Sequence, residues 1–457
     1  MSTFGRFFRV TTYGESHCAS VGCIVDGVPP GMQLEETDIQ PQMTRRRPGQ
    51  SAISTPRDEK DKVRIQSGTE FGITLGTPIG MLVLNENQRP KDYGNSTMDK
   101  FPRPSHADWT YLEKYGVKAS SGGGRSSARE TIGRVAAGAI AEKFLREAYG
   151  VEIVAFTSSV GSEHLYPPER ARARDLQDMI KKAGGSAEEA LKKYLEQQEA
   201  APVNKSDSLN PKFLELIESI TREKVDSFLP VRCPDQDATQ RMEKLIGEFR
   251  DNHDSIGGTV TCVIRNCPSG LGEPCFDKLE AALGHAMLSI PATKSFDIGS
   301  GKGGCEMAGS VHNDPFVVAS DSTQHHSPTE TRPAGQTRPR LTTKTNNSGG
   351  IQGGISNGAP IYFTVGFKPP ATIGQAQSTA TYDESSGVLE AKGRHDPCVI
   401  PRAVPIVEAM AALVIMDAVS AQASRQLLRS NLPQLKQTIP VGETQGDLSA
   451  GGNGQQA

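Results

Sequence analysis

The chain has 457 residues with 36% hydrophobic and 23% charged side chains, the balance of a soluble globular protein with a large core. Its 50 basic and 53 acidic residues give a formal net charge of −3, which offers no global attraction to nucleic acid or to a membrane surface. One Trp and 5% aromatics supply few platforms for stacking single-stranded bases, so a nucleic-acid partner is not expected.

The N-terminal stretch MSTFGRFFRVTTYGESH has no apolar signal region and no cleavage pattern, and no run of 18 apolar residues follows it. The expectation is a cytoplasmic protein without a membrane partner. Eight cysteines without a C-x-x-C pair read as reduced thiols. No H-E-x-x-H or similar spacing is present, so no metal is expected.

In chain order, residues 8–12 and 21–25 are rich in β-branched side chains and predict strands around the turn Gly14-Glu15-Ser16-His17. Residues 35–47 predict a helix that stops before Pro48-Gly49 and ends on Arg45, Arg46 and Arg47. Guanidinium forks bind phosphate and carboxylate, though a charge run is also what a solvated face looks like. Arg103-Pro-Ser-His-Ala-Asp108 adds a second basic cluster, with His106 as a possible proton donor alongside His17.

The tract Ser120-Ser-Gly-Gly-Gly-Arg-Ser-Ser-Ala-Arg129 leads into the clearest helical pattern, residues 126–149, with Ser127 and Glu130 spaced as a capping box. A helix start with Arg125 and Arg129 beside it suits an anion, a reading favoured over an ordinary glycine turn and helix cap. Residues 165–250 are charged and predict an exposed loop-and-helix region. Residues 256–267 predict a strand, 276–290 a helix, 299–345 a long mobile loop containing His325-His326, 361–366 a strand and 402–428 a last helix. Five glycines between Ser348 and Gly358 suggest either backbone against a flat ligand or a tight hairpin. Gly393-Arg-His-Asp-Pro-Cys398 gathers Arg394 and Asp396 before the last helix, and a Gly/Gln-rich tail over 431–457 predicts disorder. The residues by themselves therefore indicate a multi-anionic small-molecule site with arginines, acid histidines and glycine-lined walls.

The segments GESHCASVGCIVDGVPPG from Gly14, GGGRSSARETIGRVAAGAI from Gly122 and GRHDPCVIPRAVPIVEAM from Gly393, with RRRPG, RPSHAD and SGGIQGGISNG, resemble the chorismate synthases over residues 4–428. That resemblance implies an α+β fold, a β-α-β sandwich forming one catalytic domain over 1–430, with insertions at 165–210 and 299–345, assembled as a homotetramer. It implies a lyase of aromatic amino acid biosynthesis that eliminates phosphate and a C6 hydrogen from 5-enolpyruvylshikimate-3-phosphate with reduced FMN.

By the same resemblance, His17 protonates the leaving phosphate and His106 supports the protonation state of the reduced flavin. Asp396, with Ser16 and Ser127, tunes proton transfer. FMN would meet Arg125, Ser126, Ser127, Pro291, Ala292, Gly353, Lys368, Pro369, Pro370, Ala371, Thr372 and Arg394; substrate anions would meet Arg46, Arg47, Arg129 and Arg134. The two insertions, and Ala52 where many bacterial relatives carry arginine, resemble the fungal type, which reduces its own flavin with NADPH. Two other readings stay open: an NADPH:FMN oxidoreductase only, or a flavin- or phosphate-binding regulatory protein.

Overall fold

The computed structural model describes residues 2–51, 53, 59–86, 98–117, 123–166, 211–318, 341–391 and 396–432. Two antiparallel five-stranded sheets form its outer layers. The first runs in the order Thr3–Phe4, Arg9–Gly14, Ser20–Asp26, Ile79–Leu84, Val63–Ile65. The second runs Thr293–Ile298, Ile361–Phe367, Gly258–Arg265, Glu152–Val160, Glu163–His164.

Two helices lie between the sheets. Thr131–Tyr149 packs on the first sheet, Ile400–Ser430 packs on the second, and the two helices pack on each other. Glycine decides how closely. At Gly133 an added Cβ would sit 2.9 Å from the Gly22 carbonyl oxygen, and at Gly138 it would sit 2.5 Å from the Ala409 Cβ. The two glycines thus let one helix approach a strand and a second helix.

Ile400–Ser430 is long and apolar enough, by composition, to cross a membrane, yet 83% of its most apolar window is buried inside the protein. A helix apolar on all sides is what a position between two layers requires. One continuous hydrophobic cluster runs from Phe8 to Val419 through both sheets and both helices.

The α+β class follows directly, and the predicted strands and helices have counterparts near their expected positions, while the strands Val63–Ile65, Ile79–Leu84, Glu152–Val160 and Thr293–Ile298 go unanticipated. Two local expectations change and one open alternative resolves. The S-x-x-E pattern does not form a capping box. A short 3-10 turn, Ala128–Glu130, precedes the helix, and the Ser127 hydroxyl accepts from the Arg129 N–H at 3.2 Å. Glu130 turns instead to Thr12 and Arg134, because a guanidinium is a stronger partner than a backbone amide.

Of the stretch 299–345, residues 299–318 and 341–345 are described. Its described part carries the short helices Gly301–Gly304 and Gly309–His312 and a strand pair, Phe316–Val318 with Leu341–Thr343. Asp314 closes the base of this excursion, accepting from Thr345, from the Asn347 N–H and from the Ser348 N–H.

The glycine-rich tract resolves as a hairpin, Ile351–Gln352 with Ile355–Ser356. Gly353 and Gly354 make its turn at φ +62° and +91°, a conformation that favours glycine. Ala52, Arg394, His325-His326, residues 167–210 of the first insertion and the tail from 433 lie outside the described residues.

Candidate active site

A cleft of about 1070 Å³ opens at the edge of the two sheets. It is walled by the N-terminal strands, the segment around His106, the turn Gly123–Ser126, and the segments at 289–292 and 368–371. Of the site residues expected from sequence, it gathers His106, Arg125, Ser126, Arg134, Pro291, Ala292, Lys368, Pro369, Pro370 and Ala371.

Ser105 and Ala292 both line it with positive φ, +56° and +70°. Strained backbone at non-glycine positions concentrates at ligand sites. At Ser105 the strained turn folds the RPSHAD motif back on itself.

In that turn His106 Nδ1 lies 2.9 Å from Asp108 Oδ1. Arg103 grips the same carboxylate through Nε at 2.7 Å and Nη2 at 2.7 Å. Burial works to raise the Asp108 carboxyl, but the hydrogen bonds from Arg103 and His106 overcome it and hold the group well below the usual carboxylate range. An ionised Asp108 can only accept, so it fixes the proton on Nδ1 and leaves Nε2 as the exchanging nitrogen of His106.

The cations are held as firmly. Arg125 donates to the Gly14 carbonyl at 2.8 Å and to the Thr12 hydroxyl at 2.7 Å. Arg134 bonds Glu130 on its own helix and reaches Ser289, whose hydroxyl it meets at 2.6 Å. Lys368 donates to the Ser105 carbonyl at 2.8 Å. Burial first, and Lys294 second, lower the Lys368 ammonium from its ordinary value. Pro291, Ala292, Pro369, Pro370 and Ala371 add an apolar ledge, so the cleft suits a planar ring that also carries an anion.

A second group sits behind the turn 126–131. Arg46 bonds Asp61 at 3.0 Å and Thr131 at 3.0 Å. Arg129 bonds Asp61 at 2.5 Å and Asn85 at 2.7 Å. Burial pushes the Arg46 guanidinium down to about 9; Asp61 works against this, while Arg402 and Arg129 add to it. Asp396 pairs with Arg402 at 2.5 Å, which brings it to the edge of the same charge cluster. Ser16 is buried and its hydroxyl lies 2.8 Å from His17 Nδ1.

Sequence reasoning thus placed in one set residues that the fold sorts into two. Arg46, Arg129, Asp396, Ser16, Ser127 and His17 do not line the cleft; Glu15, two residues before His17, does. Arg47 also lies outside the lining, with its Nε buried and unpaired among the described residues. Gly353 belongs to its hairpin and Thr372 falls one residue past the cleft wall. The sequence reading passed over Asp108, Glu130, Tyr111 and Ser289, which line the cleft. Only the i,i+4 spacing of Glu130 and Arg134 carried a usable signal.

Comparison with known proteins supplies the family. The family model described as chorismate synthase matches residues 8–420. The chain is 73% identical over 446 residues to "Chorismate synthase aro-2" of Neurospora crassa, covering 97% of this chain and 96% of that one. It is 62% identical to the chorismate synthase of Schizosaccharomyces pombe, covering 95% and 99%. A solved structure, "Crystal Structure of Chorismate Synthase", shares the fold with a TM-score of 0.61 at 24% identity, covering 93% of this chain and 98% of that one. The chain therefore belongs to the chorismate synthase family of lyases.

Proposed function

We propose that this chain eliminates phosphate and a C6 hydrogen from 5-enolpyruvylshikimate-3-phosphate to give chorismate, with reduced FMN held in the cleft. The observation that carries this reading is a single cleft in which the carboxylate-held His106 and the cations Arg125, Arg134 and Lys368 surround an apolar ledge. The chemistry of that lining fits a flavin mononucleotide. Pro291, Ala292 and residues 369–371 would meet the ring, and Arg125, Ser126 and Lys368 would meet its polar edge or phosphate. Reduced FMN, when bound, supplies electron density to the departing phosphate and a basic nitrogen for the C6 proton.

The protein's part is binding, charge and protons. Arg134 and Arg125 offset charge on the anionic ligands. Arg46, paired with Asp61, and Arg129, paired with Asp61 and Glu59, brace the turn from behind. His106, its Nδ1 proton fixed by Asp108, holds or releases a proton at Nε2. His17, with Nδ1 beside the Ser16 hydroxyl, protonates the leaving phosphate at Nε2. Asp396, Ser16 and Ser127 tune that proton traffic from behind the cleft.

Identities to the fungal relatives of 60–73% exceed the 46% to a plant relative. They support a fungal type in which NADPH is the reductant. Cytoplasmic location and homotetrameric assembly belong to the same proposal.

The test is phosphate release from the enolpyruvyl substrate under anaerobic conditions with reduced FMN. His17→Ala and His106→Ala are each expected to cut kcat by about tenfold or more with the fold intact. Unchanged turnover in both would remove them from the mechanism. Turnover with NADPH and FMN as the sole reducing system would establish self-reduction; dependence on dithionite would refute it.

A further inference from the structure

We infer that Asn85 is a positioning residue that holds the His17 turn in place, an inference that rests on the catalytic role proposed for His17. Asn85 follows the strand Ile79–Leu84 and is buried. Its amide nitrogen donates to the Glu15 carbonyl at 3.1 Å and to the Cys18 carbonyl at 2.6 Å, so it bridges the two residues that bracket Ser16 and His17. Its amide oxygen accepts from Arg129 Nε at 2.7 Å. The backbone N–H of Asn85 donates to the Ala19 carbonyl at 3.0 Å.

Arg125 holds the front of the turn by donating to the Gly14 carbonyl at 2.8 Å. Cys18 closes it internally, accepting from the Glu15 N–H at 2.9 Å and donating to the Ser20 carbonyl at 2.9 Å. Asn85 ties the Glu15–Cys18 segment to Arg129, which is itself locked to Asp61 and hence to Arg46.

The chemistry selects asparagine. Two carbonyl oxygens need donors and a guanidinium needs an acceptor, all within reach of one short side chain. An amide supplies two donors and an acceptor, and its orientation is forced, since a flipped amide would face donor to donor and acceptor to acceptor. Aspartate keeps the Arg129 contact and sets a carboxylate against two carbonyls. The isosteric change therefore separates the tether from the charge partner.

The experiment compares kcat and KM for phosphate release in Asn85→Asp and Asn85→Ala, alone and in a His17→Ala background, with a thermal melt for each. Both single variants are expected to lose about tenfold in kcat, with KM within twofold and melting near that of the parent. Neither should cost anything further once His17 is gone, because coupled residues are non-additive. Parental kcat in Asn85→Asp would assign the residue to Arg129 alone and overturn the tether. An independent, multiplicative loss in the His17→Ala background would overturn it as well, leaving the role of His17 standing. If His17→Ala itself turns over normally, the acid assignment falls, and the positioning role falls with it.

Discussion

At Asp108 two opposing effects meet, burial favouring the neutral acid and two donors favouring the carboxylate, and the donors win. A carboxyl held below its unfolded value contributes stability above about pH 3.9, and that contribution fades as pH falls through the folded value. Across the neutral range Asp108 is thus an anion accepting from His106, and the tautomer of the imidazole is set. Asp108→Asn keeps the shape but can face His106 with either its amide oxygen or its amide nitrogen, so the ring loses its fixed proton position. The expected result is a fall in kcat of about tenfold or more with little change in KM. A pH titration of stability should also lose some of its slope below about pH 4 in the variant. Equal kcat in parent and variant would show that Asp108 only anchors Arg103. The sequence displays His106 and Asp108 two residues apart; their contact depends on the positive φ at Ser105, which no spacing rule announces.

The helix Thr131–Tyr149 shows how an element can oppose its own propensity. Alanine is the better helix former by about 1 kcal/mol over glycine. At Gly138, however, an added Cβ would lie 2.5 Å from the Ala409 Cβ and 2.6 Å from its Cα, distances real contacts do not reach. Backbone cannot step aside as a flexible side chain can, so the clash outweighs the propensity. Gly138→Ala is expected to destabilise the protein by about 1–3 kcal/mol, read from the denaturant midpoint. A stabilised variant would mean that the two central helices slide apart freely. The long helix partner carries a second oddity, Glu408, which is 1% exposed and accepts from the Ala155 N–H while pairing with Arg45 and Arg222. Such a buried anion is tolerated only because its oxygens are met from three directions.

On the scale of the whole molecule, a second hollow of about 390 Å³ combines exposed aromatic rings with the ion pairs Arg6–Asp277 and Arg425–Glu273. Phe7 is 49% and Phe276 94% exposed, both lining that hollow, while Leu427 and Leu428 on the same long helix are more than 60% exposed. Exposed large aromatics of this kind are what a self-association surface would cover. This supports the proposed self-assembly. Sedimentation velocity should find a species larger than one chain at micromolar concentration, and Phe7→Asp with Phe276→Asp should shift it toward the monomer while the melting curve stays cooperative. A parent protein that sediments as a monomer would end the assembly proposal.

What the sequence by itself determined is the periodic and the local: two strands of each sheet, the two central helices, the polar motifs at 14–17, 103–108 and 122–129, and through them the family. Helical and strand spacing are short-range properties, and a handful of neighbouring letters carries them. Which charges meet is a different matter. The break of the Ser127–Glu130 capping box, the capture of Arg46 and Arg129 by Asp61, and the Asn85 bridge to the His17 turn all join residues 15 to 118 positions apart. Only the packing of two sheets on two helices brings those groups within hydrogen-bond distance, and there burial makes each buried charge take the partner that the tertiary structure provides.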